Sequence, residues 1–271
     1  MVRRRKDNPE GNMPLVEHLR EARTRLLLSL AGVGVGTVVA WFFYDQIFAF
    51  MASPLAQLHT TVGGAHLNFE TVSAAFDLKL RVSVFAGVLV SSPWWLYHVW
   101  AYIAPALHRK EKLYVIAFTV AGVILFSAGA ASGVWIMPHA VSILASFAPE
   151  QSVMLMKTSV YFSFYMRLVI VFGVSFLVPL LMVGINQMGL VTARQMLKTW
   201  RWAVVIAFVF AAVANPLPDP WTMTIQALLL CSLYFGAVGI AAIHDRRVAK
   251  KRAKLEAEVD AALTGDTTEG E

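Results

Sequence analysis

Six apolar stretches divide this sequence, and they constrain its fold more than any other feature. A helix that crosses a bilayer needs about 20 consecutive residues that are mostly apolar. The stretches are residues 26–50, 82–102, 113–137, 160–185, 202–214 and 221–243. Apolar residues make up 58% of the chain and charged residues only 15%, which excludes a single water-soluble domain. The sequence therefore predicts an all-α membrane protein with six transmembrane helices.

The last two of these helices are predicted to be short. Residues 202–214 fall below the length of a full crossing, and residues 215–220 contain three prolines. Because proline interrupts the hydrogen bonds of a helix interior, this break favours a tight reversal between two short helices.

The basic residues place both ends of the chain on one side of the membrane. Nineteen of the 23 Lys and Arg residues lie before the first stretch, in the loops after the second and fourth stretches, or after the sixth. Positively charged loops stay in the cytoplasm, so both termini are predicted to be cytoplasmic. The net charge of +6 then reflects orientation and attraction to anionic lipid, and it does not indicate nucleic acid binding.

This pattern divides the chain into three parts. Residues 1–25 form a cytoplasmic N-terminal segment, and residues 13–26 have the spacing of an amphipathic helix. Residues 26–243 form the six-span membrane domain. Residues 244–271 form a cytoplasmic tail that is predicted to be partly disordered.

Prolines predict the positions of helix kinks and of two structured outer loops in the membrane domain. Pro93 and Pro179 lie within the second and fourth spans, where kinks are expected. On the side opposite the termini, the loops at 51–75 and 138–159 are longer than a turn requires and contain prolines among apolar residues. We expect these two loops to form structured caps at the outer membrane surface.

No pattern of residues indicates an enzyme. The sequence lacks the zinc-protease, serine-hydrolase and phosphate-binding-loop motifs, and its seven histidines are scattered. The single cysteine, Cys231, cannot form an intramolecular disulfide or a paired-cysteine metal site. The sequence therefore predicts a protein that is not an enzyme and uses neither a metal nor a cofactor.

Polar and small residues within the spans predict contacts between helices. The glycines at residues 32–36 and 129–133 have the spacing of closely packed helices, and Gln226 seeks a hydrogen-bond partner within the membrane. Arg167 lies inside the fourth span, where it either extends to the membrane surface or pairs with a carboxylate such as Glu150.

The basic loop after the second span is the most informative segment. Residues 100–111 combine aromatic residues, the rigid Pro105 and one carboxylate, Glu111, among cations. A carboxylate beside an apolar surface favours a cationic peptide that also carries a hydrophobic segment, and bidentate hydrogen bonds favour arginine over lysine. The alternative is an ordinary interfacial loop in which Glu111 pairs with a neighbouring lysine.

Several motifs follow one another in a specific order along residues 13–245. They are residues 13–26, Ser53-Pro54-Leu55, residues 92–107 followed by Glu111, residues 172–176 followed by Val178-Pro179, and the proline-rich break followed by Gln226. In this order they resemble the TatC family, the multispan receptor of the twin-arginine protein translocase.

The resemblance implies a receptor in the bacterial plasma membrane that binds twin-arginine signal peptides at its cytoplasmic face. Glu21 and Glu111 match the family's acidic recognition positions, Arg23 matches its neighbouring arginine, and Tyr102 matches a position usually occupied by Phe. Pro54 matches the proline of the first outer cap. The implied partners are single-span TatA and TatB proteins and further copies of this chain, and the family's transport draws on the proton-motive force.

The chain departs from the family at two positions in the fourth span. Leu177 stands where many relatives carry a glutamate, and Arg167 stands where relatives commonly have an apolar residue. The Pro-x-Glu feature expected before the second span is degraded around residues 70–77. The resemblance places Leu177 and Gln226 at contacts with partner helices.

Two other classes of function stay open from the residues. A proton- or ion-coupled carrier of small solutes would use Arg167, Asp45 and Asp77, and it predicts a polar cavity near the middle of the bilayer. A noncatalytic scaffold predicts contacts between helices without any preference for paired arginines.

Overall fold

The computed structural model describes residues 15–58, 65–103, 111–146, 154–214 and 220–266, and these are almost entirely helical. In chain order the elements are α1 (Leu15–Phe42), α2 (Tyr44–Leu58), β1 (Ala65–Asn68), α3 (Ala74–Val90), α4 (Ser92–Ile103), α5 (Glu111–Ser146), β2 (Met154–Lys157), α6 (Thr158–Ser175), α7 (Val178–Gln187), α8 (Ala193–Lys198), α9 (Trp200–Ala214) and α10 (Pro220–Asp266). The two strands pair with each other.

The chain forms two compact units. Among the described residues, the first unit contains α1, α2 as far as Ser53, α3, α4, α5 as far as Val123 and the start of α6 as far as Phe162. The second unit contains the rest of α5 and α6, together with α7, α8, α9 and α10.

In the first unit, α1 packs against α3 and α4. The backbones of α1 and α3 come close at two glycines. A Cβ on Gly36 would lie 2.8 Å from the carbonyl oxygen of Gly87, and a Cβ on Gly87 would lie 2.6 Å from the backbone nitrogen of Thr37. Small residues allow this approach. The predicted close packing is confirmed at Gly36, whereas no atom lies within 4 Å of the Cβ position of Gly34.

In the second unit, glycines bring α5 against α6. A Cβ on Gly129 would lie 2.5 Å from the carbonyl oxygen of Phe172, and a Cβ on Gly133 would lie 2.9 Å from the Cα of Val169. The predicted close packing at residues 129–133 is therefore confirmed. In the same unit, α10 packs against α7, α8 and α9. The core of this contact consists of Ala193, Met196, Val238 and Ala241.

Two prolines lie at interruptions of the helices. Pro93 is the second residue of α4, which begins two positions after α3 ends, and Pro179 is the second residue of α7. Proline has no N–H group to donate, and the first turn of a helix needs no such donor, so proline fits there. The bends predicted at Pro93 and Pro179 therefore coincide with boundaries between helices, at Ser91 and at residues 176–177, where the backbone of Leu177 remains helical.

Four helical stretches among the described residues are long and apolar enough to cross a membrane. They are Val16–Phe42, Val115–Ile143, Thr158–Gln187 and Met223–Glu258. They coincide with the first, third, fourth and sixth predicted spans. The second predicted span is divided between α3 and α4, and the fifth is the shorter apolar helix α9. These lengths and compositions are those of a helical membrane protein.

The last helix is much longer than predicted. Helix α9 has 15 residues, as expected for a short helix, but α10 has 47. The residues after Ile243 are rich in Ala, Lys, Arg and Glu, which have high helix propensity, so the helix continues through the charged sequence. The prediction that the last two helices are both short is therefore wrong for α10.

Candidate functional site

Two side chains join the start of α1 to the end of α4. The phenol oxygen of Tyr102 lies 2.8 Å from Nε2 of His18, and the two rings stack with their centroids 4.7 Å apart. Both residues are half-buried. Because the contact combines a hydrogen bond with ring stacking, it holds the first turns of α1 in a defined position on the last turn of α4.

Glu21 lies about one turn beyond His18 on α1, and the chain uses only one of its carboxylate oxygens. Nε and Nη2 of Arg25 both donate to Oε1 of Glu21, at 3.1 and 2.7 Å. Within the described residues, no hydrogen bond reaches Oε2 of Glu21. The Glu21 side chain keeps 24% of its surface exposed. One oxygen of this carboxylate is therefore available to a second cation.

The contact between α1 and α4 continues toward the middle of the first unit. Nε1 of Trp94 donates to the carbonyl oxygen of Leu28 at 2.8 Å. Gly32 leaves room for the Trp94 indole, because a Cβ at this position would overlap the ring. We refer to His18, Leu28 and Gly32 of α1 together with Trp94 and Tyr102 of α4 as the α1–α4 seam.

His98 lies beside this seam and is buried. Its ring packs edge-on against Trp94 and Tyr97, with centroid separations of 4.9 and 5.4 Å. Neither ring nitrogen of His98 has a hydrogen-bond partner in the part of the chain that the structure describes. Aromatic packing therefore fixes this imidazole.

The other residues predicted to bind a peptide lie on or near the same helices. Arg23 is exposed on α1 and forms no ion pair with the described residues. Glu111 is the first residue of α5, but its side chain lies outside the described residues, as does Pro105. The structure thus brings Glu21 and Tyr102 to the same end of the α1–α4 pair.

Pro54 is buried inside α2, near the opposite end of that helix from α1. One turn before it, the carbonyl oxygen of Met51 accepts a hydrogen bond of 2.7 Å from the hydroxyl of Tyr161. Phe48 also stacks on Phe162, with centroids 4.8 Å apart. These contacts join α2 to the start of α6 within the first unit.

Polar contacts tie the segment after β1 to the same end of α6. The hydroxyl of Thr158 donates to the carbonyl oxygen of Asn68 at 2.9 Å. Nζ of Lys157 lies 2.6 Å from Oε1 of Glu70, in an exposed ion pair. Parts of both loops predicted to form outer caps are therefore ordered.

The residues predicted to contact partner helices lie in the second unit. Leu177 is half-buried in the break between α6 and α7. Gln226 is buried in α10, and neither its amide oxygen nor its amide nitrogen has a hydrogen-bond partner within the described residues. An unpaired amide of this kind is costly in an apolar environment.

The charged residues that a solute carrier would use do not form a buried cluster. Arg167 is exposed on α6 and pairs with no described carboxylate, while its predicted partner Glu150 lies outside the described residues. Asp77 pairs with Arg81 at 2.9 Å, and both side chains are more than half exposed. No ion pair among the described residues is buried.

No role is predicted for His18 or His98 from the sequence. The sequence does contain a pattern that points to them: Trp94, His98 and Tyr102 are four residues apart and so lie on one face of a helix. His18 and Glu21 have the equivalent three-residue spacing on α1. The pairing of these two faces depends on contacts between residues 84 positions apart.

Comparisons with known proteins agree with this arrangement. The family described as Sec-independent protein translocase protein (TatC) matches residues 17–228. A protein of Xylanimonas cellulosilytica named Sec-independent protein translocase protein TatC is 46% identical over 249 residues, which cover 90% of this chain and 89% of that protein. A protein of Rothia mucilaginosa with the same name is 36% identical and covers 100% of this chain and 93% of its own length.

Solved structures give the same result. A crystal structure described as the twin arginine translocase receptor TatC in DDM superposes with a TM-score of 0.71 at 27% identity, covering 83% of this chain and 99% of that chain. The resemblance inferred from the order of the motifs is therefore confirmed. The chain belongs to the TatC family and is a component of the Sec-independent protein translocase.

Proposed function

We propose that this chain is the receptor subunit of twin-arginine translocation, which binds twin-arginine signal peptides at its cytoplasmic face. Glu21 and Glu111 bind the two guanidinium groups of the peptide. The observation that carries the proposal is the carboxylate of Glu21, which has one oxygen engaged by Arg25 and the other free among the described residues.

The pair between Glu21 and Arg25 is weak enough to permit this role. Ion pairs four residues apart on a helix contribute about 0.3–0.5 kcal/mol, and the side chains of Arg25 and Glu21 keep 25% and 24% of their surface exposed. A peptide arginine that binds Glu21 beside Arg25, or displaces Arg25 from it, therefore costs little free energy. It also adds charge-assisted hydrogen bonds of its own.

The α1–α4 seam supplies the rigidity that this recognition needs. The contact between His18 and Tyr102 holds the turn of α1 that carries Glu21. Seven residues separate the end of α4 from Glu111. The second carboxylate is therefore close in sequence to the end of α4 that carries Tyr102. Arg23 is exposed on α1, two residues after Glu21.

An apolar recess in the first unit suits the hydrophobic segment of a signal peptide. It has a volume of about 430 Å³ and lies between α4 and α5, where Trp94, Tyr97 and Ile116 line it. Trp94 and Tyr97 are 50% and 44% exposed. Their apolar surfaces are therefore accessible to a hydrophobic peptide segment.

In the assembled system, the chain spans the bacterial inner membrane six times, with both termini in the cytoplasm and two outer caps. The single-span proteins TatA and TatB and further copies of this chain are its partners. The residues that contact partner helices are Leu177, half-exposed between α6 and α7, and Gln226, whose amide has no partner within the described residues. Together they export folded proteins.

The proposal is tested by measuring the affinity of the full chain for two synthetic signal peptides, one with paired arginines and one with paired lysines. Loss of a charge-assisted hydrogen bond of about 1.5–3 kcal/mol corresponds to roughly 10- to 100-fold weaker binding. We expect losses of this size for the paired-arginine peptide with E21Q and with E111Q, and much smaller losses for the paired-lysine peptide.

Glu17→Gln is the matched control, because Glu17 is exposed one turn before Glu21 on the same helix. It should leave the affinity for both peptides unchanged. Equal losses for the two peptides, or an equal effect of E17Q, would contradict direct recognition of guanidinium.

A further inference from the structure

The second unit contains an apolar groove whose wall includes Ser175, Val178 and Pro179, on either side of Leu177. Its volume is about 740 Å³, and α7, α8, α9 and α10 form its walls. Most of the lining is apolar and includes Pro179, Met182, Ile206 and Phe210. Along α9 the groove extends from Trp202 to Phe210, a length of about 12 Å at 1.5 Å per residue.

The few polar side chains of the groove wall are already satisfied within the chain. The hydroxyl of Tyr234 donates to the carbonyl oxygen of Met196 at 2.6 Å. The hydroxyl of Thr199 donates to the same carbonyl oxygen at 3.0 Å, and Oε1 of Gln195 accepts from the backbone N–H of Thr192 at 2.9 Å. The wall therefore offers an occupant mainly apolar contact.

One end of the groove lies at the level of the membrane surface. Trp200 and Trp202 are both exposed at the start of α9, and tryptophans concentrate at the boundary between hydrocarbon and lipid headgroups. Phe210, at the other end, then lies within the hydrocarbon. The groove runs from the interface into one leaflet.

Three cations are next in sequence to residues that line the interfacial end, which are Gln195, Thr199 and Trp202. Arg194 and Lys198 lie on α8, and Arg201 lies at the start of α9, where its guanidinium is 5.9 Å from the Trp200 ring centre. All three are exposed, and none forms an ion pair with a described carboxylate.

The acid in contact with this end of the unit is Asp245. Its Oδ1 accepts from Nδ2 of Asn186 at 3.0 Å, and its Oδ2 accepts from the backbone N–H of Ala193 at 2.8 Å. Both oxygens of this carboxylate are therefore used within the chain, and the three cations are left to interact with an external anion.

We propose that this groove binds one anionic phospholipid, with an acyl chain against α7, α9 and α10 and the phosphate near Arg194, Lys198 and Arg201. Basic residues at the mouth of an apolar groove between transmembrane helices are the pattern that binds acidic lipid headgroups. With both termini in the cytoplasm, the lipid belongs to the cytoplasmic leaflet.

The test counts the lipids that the purified full chain retains from nanodiscs of phosphatidylglycerol or phosphatidylcholine, by native mass spectrometry. The wild type should retain one phosphatidylglycerol and much less phosphatidylcholine. R194Q/K198Q should reduce retention of phosphatidylglycerol by roughly tenfold or more. K250Q/K251Q is the matched control, because it removes two exposed cations from α10 beyond the groove and should have no such effect.

A second variant tests the apolar part of the groove. Ala207 lines the groove on α9, so A207F fills the space of the acyl chain and should lower retention of both lipids. Equal loss with K250Q/K251Q would show only general attraction to charge, and equal retention of the two lipids would show no headgroup selectivity. Retention unaffected by A207F, or a single-span helix held there in place of lipid, would likewise overturn the proposal. None of these outcomes depends on peptide binding.

Discussion

The hydroxyl of Ser53 donates to the carbonyl oxygen of Phe50 at 2.7 Å, one residue before Pro54. In an uninterrupted helix, the N–H of residue 54 would donate to this oxygen, but proline has no N–H. The serine hydroxyl therefore supplies the donor that the proline removes. The Ser-Pro pair accordingly acts as one unit, which lets α2 continue through a buried proline as far as Leu58.

Ser53→Ala should therefore be harmful only when proline follows it. We expect S53A to lower the free energy of unfolding by about 1 kcal/mol, because the Phe50 carbonyl loses its donor. In a P54A background the helix regains its own N–H donor, and S53A should then be nearly neutral. Thermal unfolding of the four proteins in detergent measures this coupling, and equal effects of S53A in both backgrounds would refute it.

Gly87→Ala should separate α1 from α3. The new Cβ would lie 2.6 Å from both the backbone nitrogen and the hydroxyl oxygen of Thr37, and the backbone cannot move aside alone. Overpacking of this kind costs about 1–3 kcal/mol. Gly34→Ala is the control, since its Cβ meets no atom within 4 Å. Unfolding in detergent should show G87A destabilised and G34A unchanged or up to about 1 kcal/mol more stable, because alanine has the higher helix propensity. Equal stabilities of the two variants would exclude tight packing at Gly87.

Arg25→Gln should strengthen the binding of a twin-arginine peptide by about twofold, because the intrahelical ion pair worth roughly 0.3–0.5 kcal/mol no longer occupies Glu21. Arg20→Gln removes the same charge from an exposed position on α1 that has no ion pair within the described residues. Fluorescence anisotropy of a labelled peptide measures both. A gain with R20Q as large as with R25Q would attribute the effect to net charge alone.

Tyr102→Phe should weaken the α1–α4 seam by about 1 kcal/mol, since stacking on His18 remains but the hydrogen bond is lost. Tyr97→Phe on the same helix removes an exposed hydroxyl that has no hydrogen-bond partner within the described residues. Unfolding measurements on Y102F, His18→Ala and the double variant give the coupling energy. Additive effects of the two changes would show that the residues do not interact.

Much of the fold follows from hydropathy and proline chemistry. The apolar stretches predict the helices because lipid requires every backbone group to be bonded within the segment. The breaks before Pro93 and Pro179 follow from the missing N–H of proline, and the approach of Gly36 and Gly129 to neighbouring helices follows from their size. These are local rules, and one sequence is enough to apply them.

The details of the candidate site depend on tertiary contacts, which no local rule gives. The acidic character of Glu21 is visible in the sequence, but the orientation of Arg25 that leaves Oε2 free is not. The partner of Tyr102 is a histidine 84 positions away. The length of α10 differs from the prediction for another reason: the apolar stretch ends at Ile243, but the Lys, Arg, Glu and Ala residues beyond it all favour a helix.

The uninterrupted course of α10 also decides which of its charges sense the lipid surface. Along a straight helix, Lys254 lies about 12 Å beyond Arg246, which is farther than the Debye length of about 8 Å at physiological salt. Counterions therefore screen the C-terminal part of α10 from the electric field of the lipid headgroups. Among the cations of α10, only those on the first turns after Ile243 remain within that field and contribute to electrostatic anchoring.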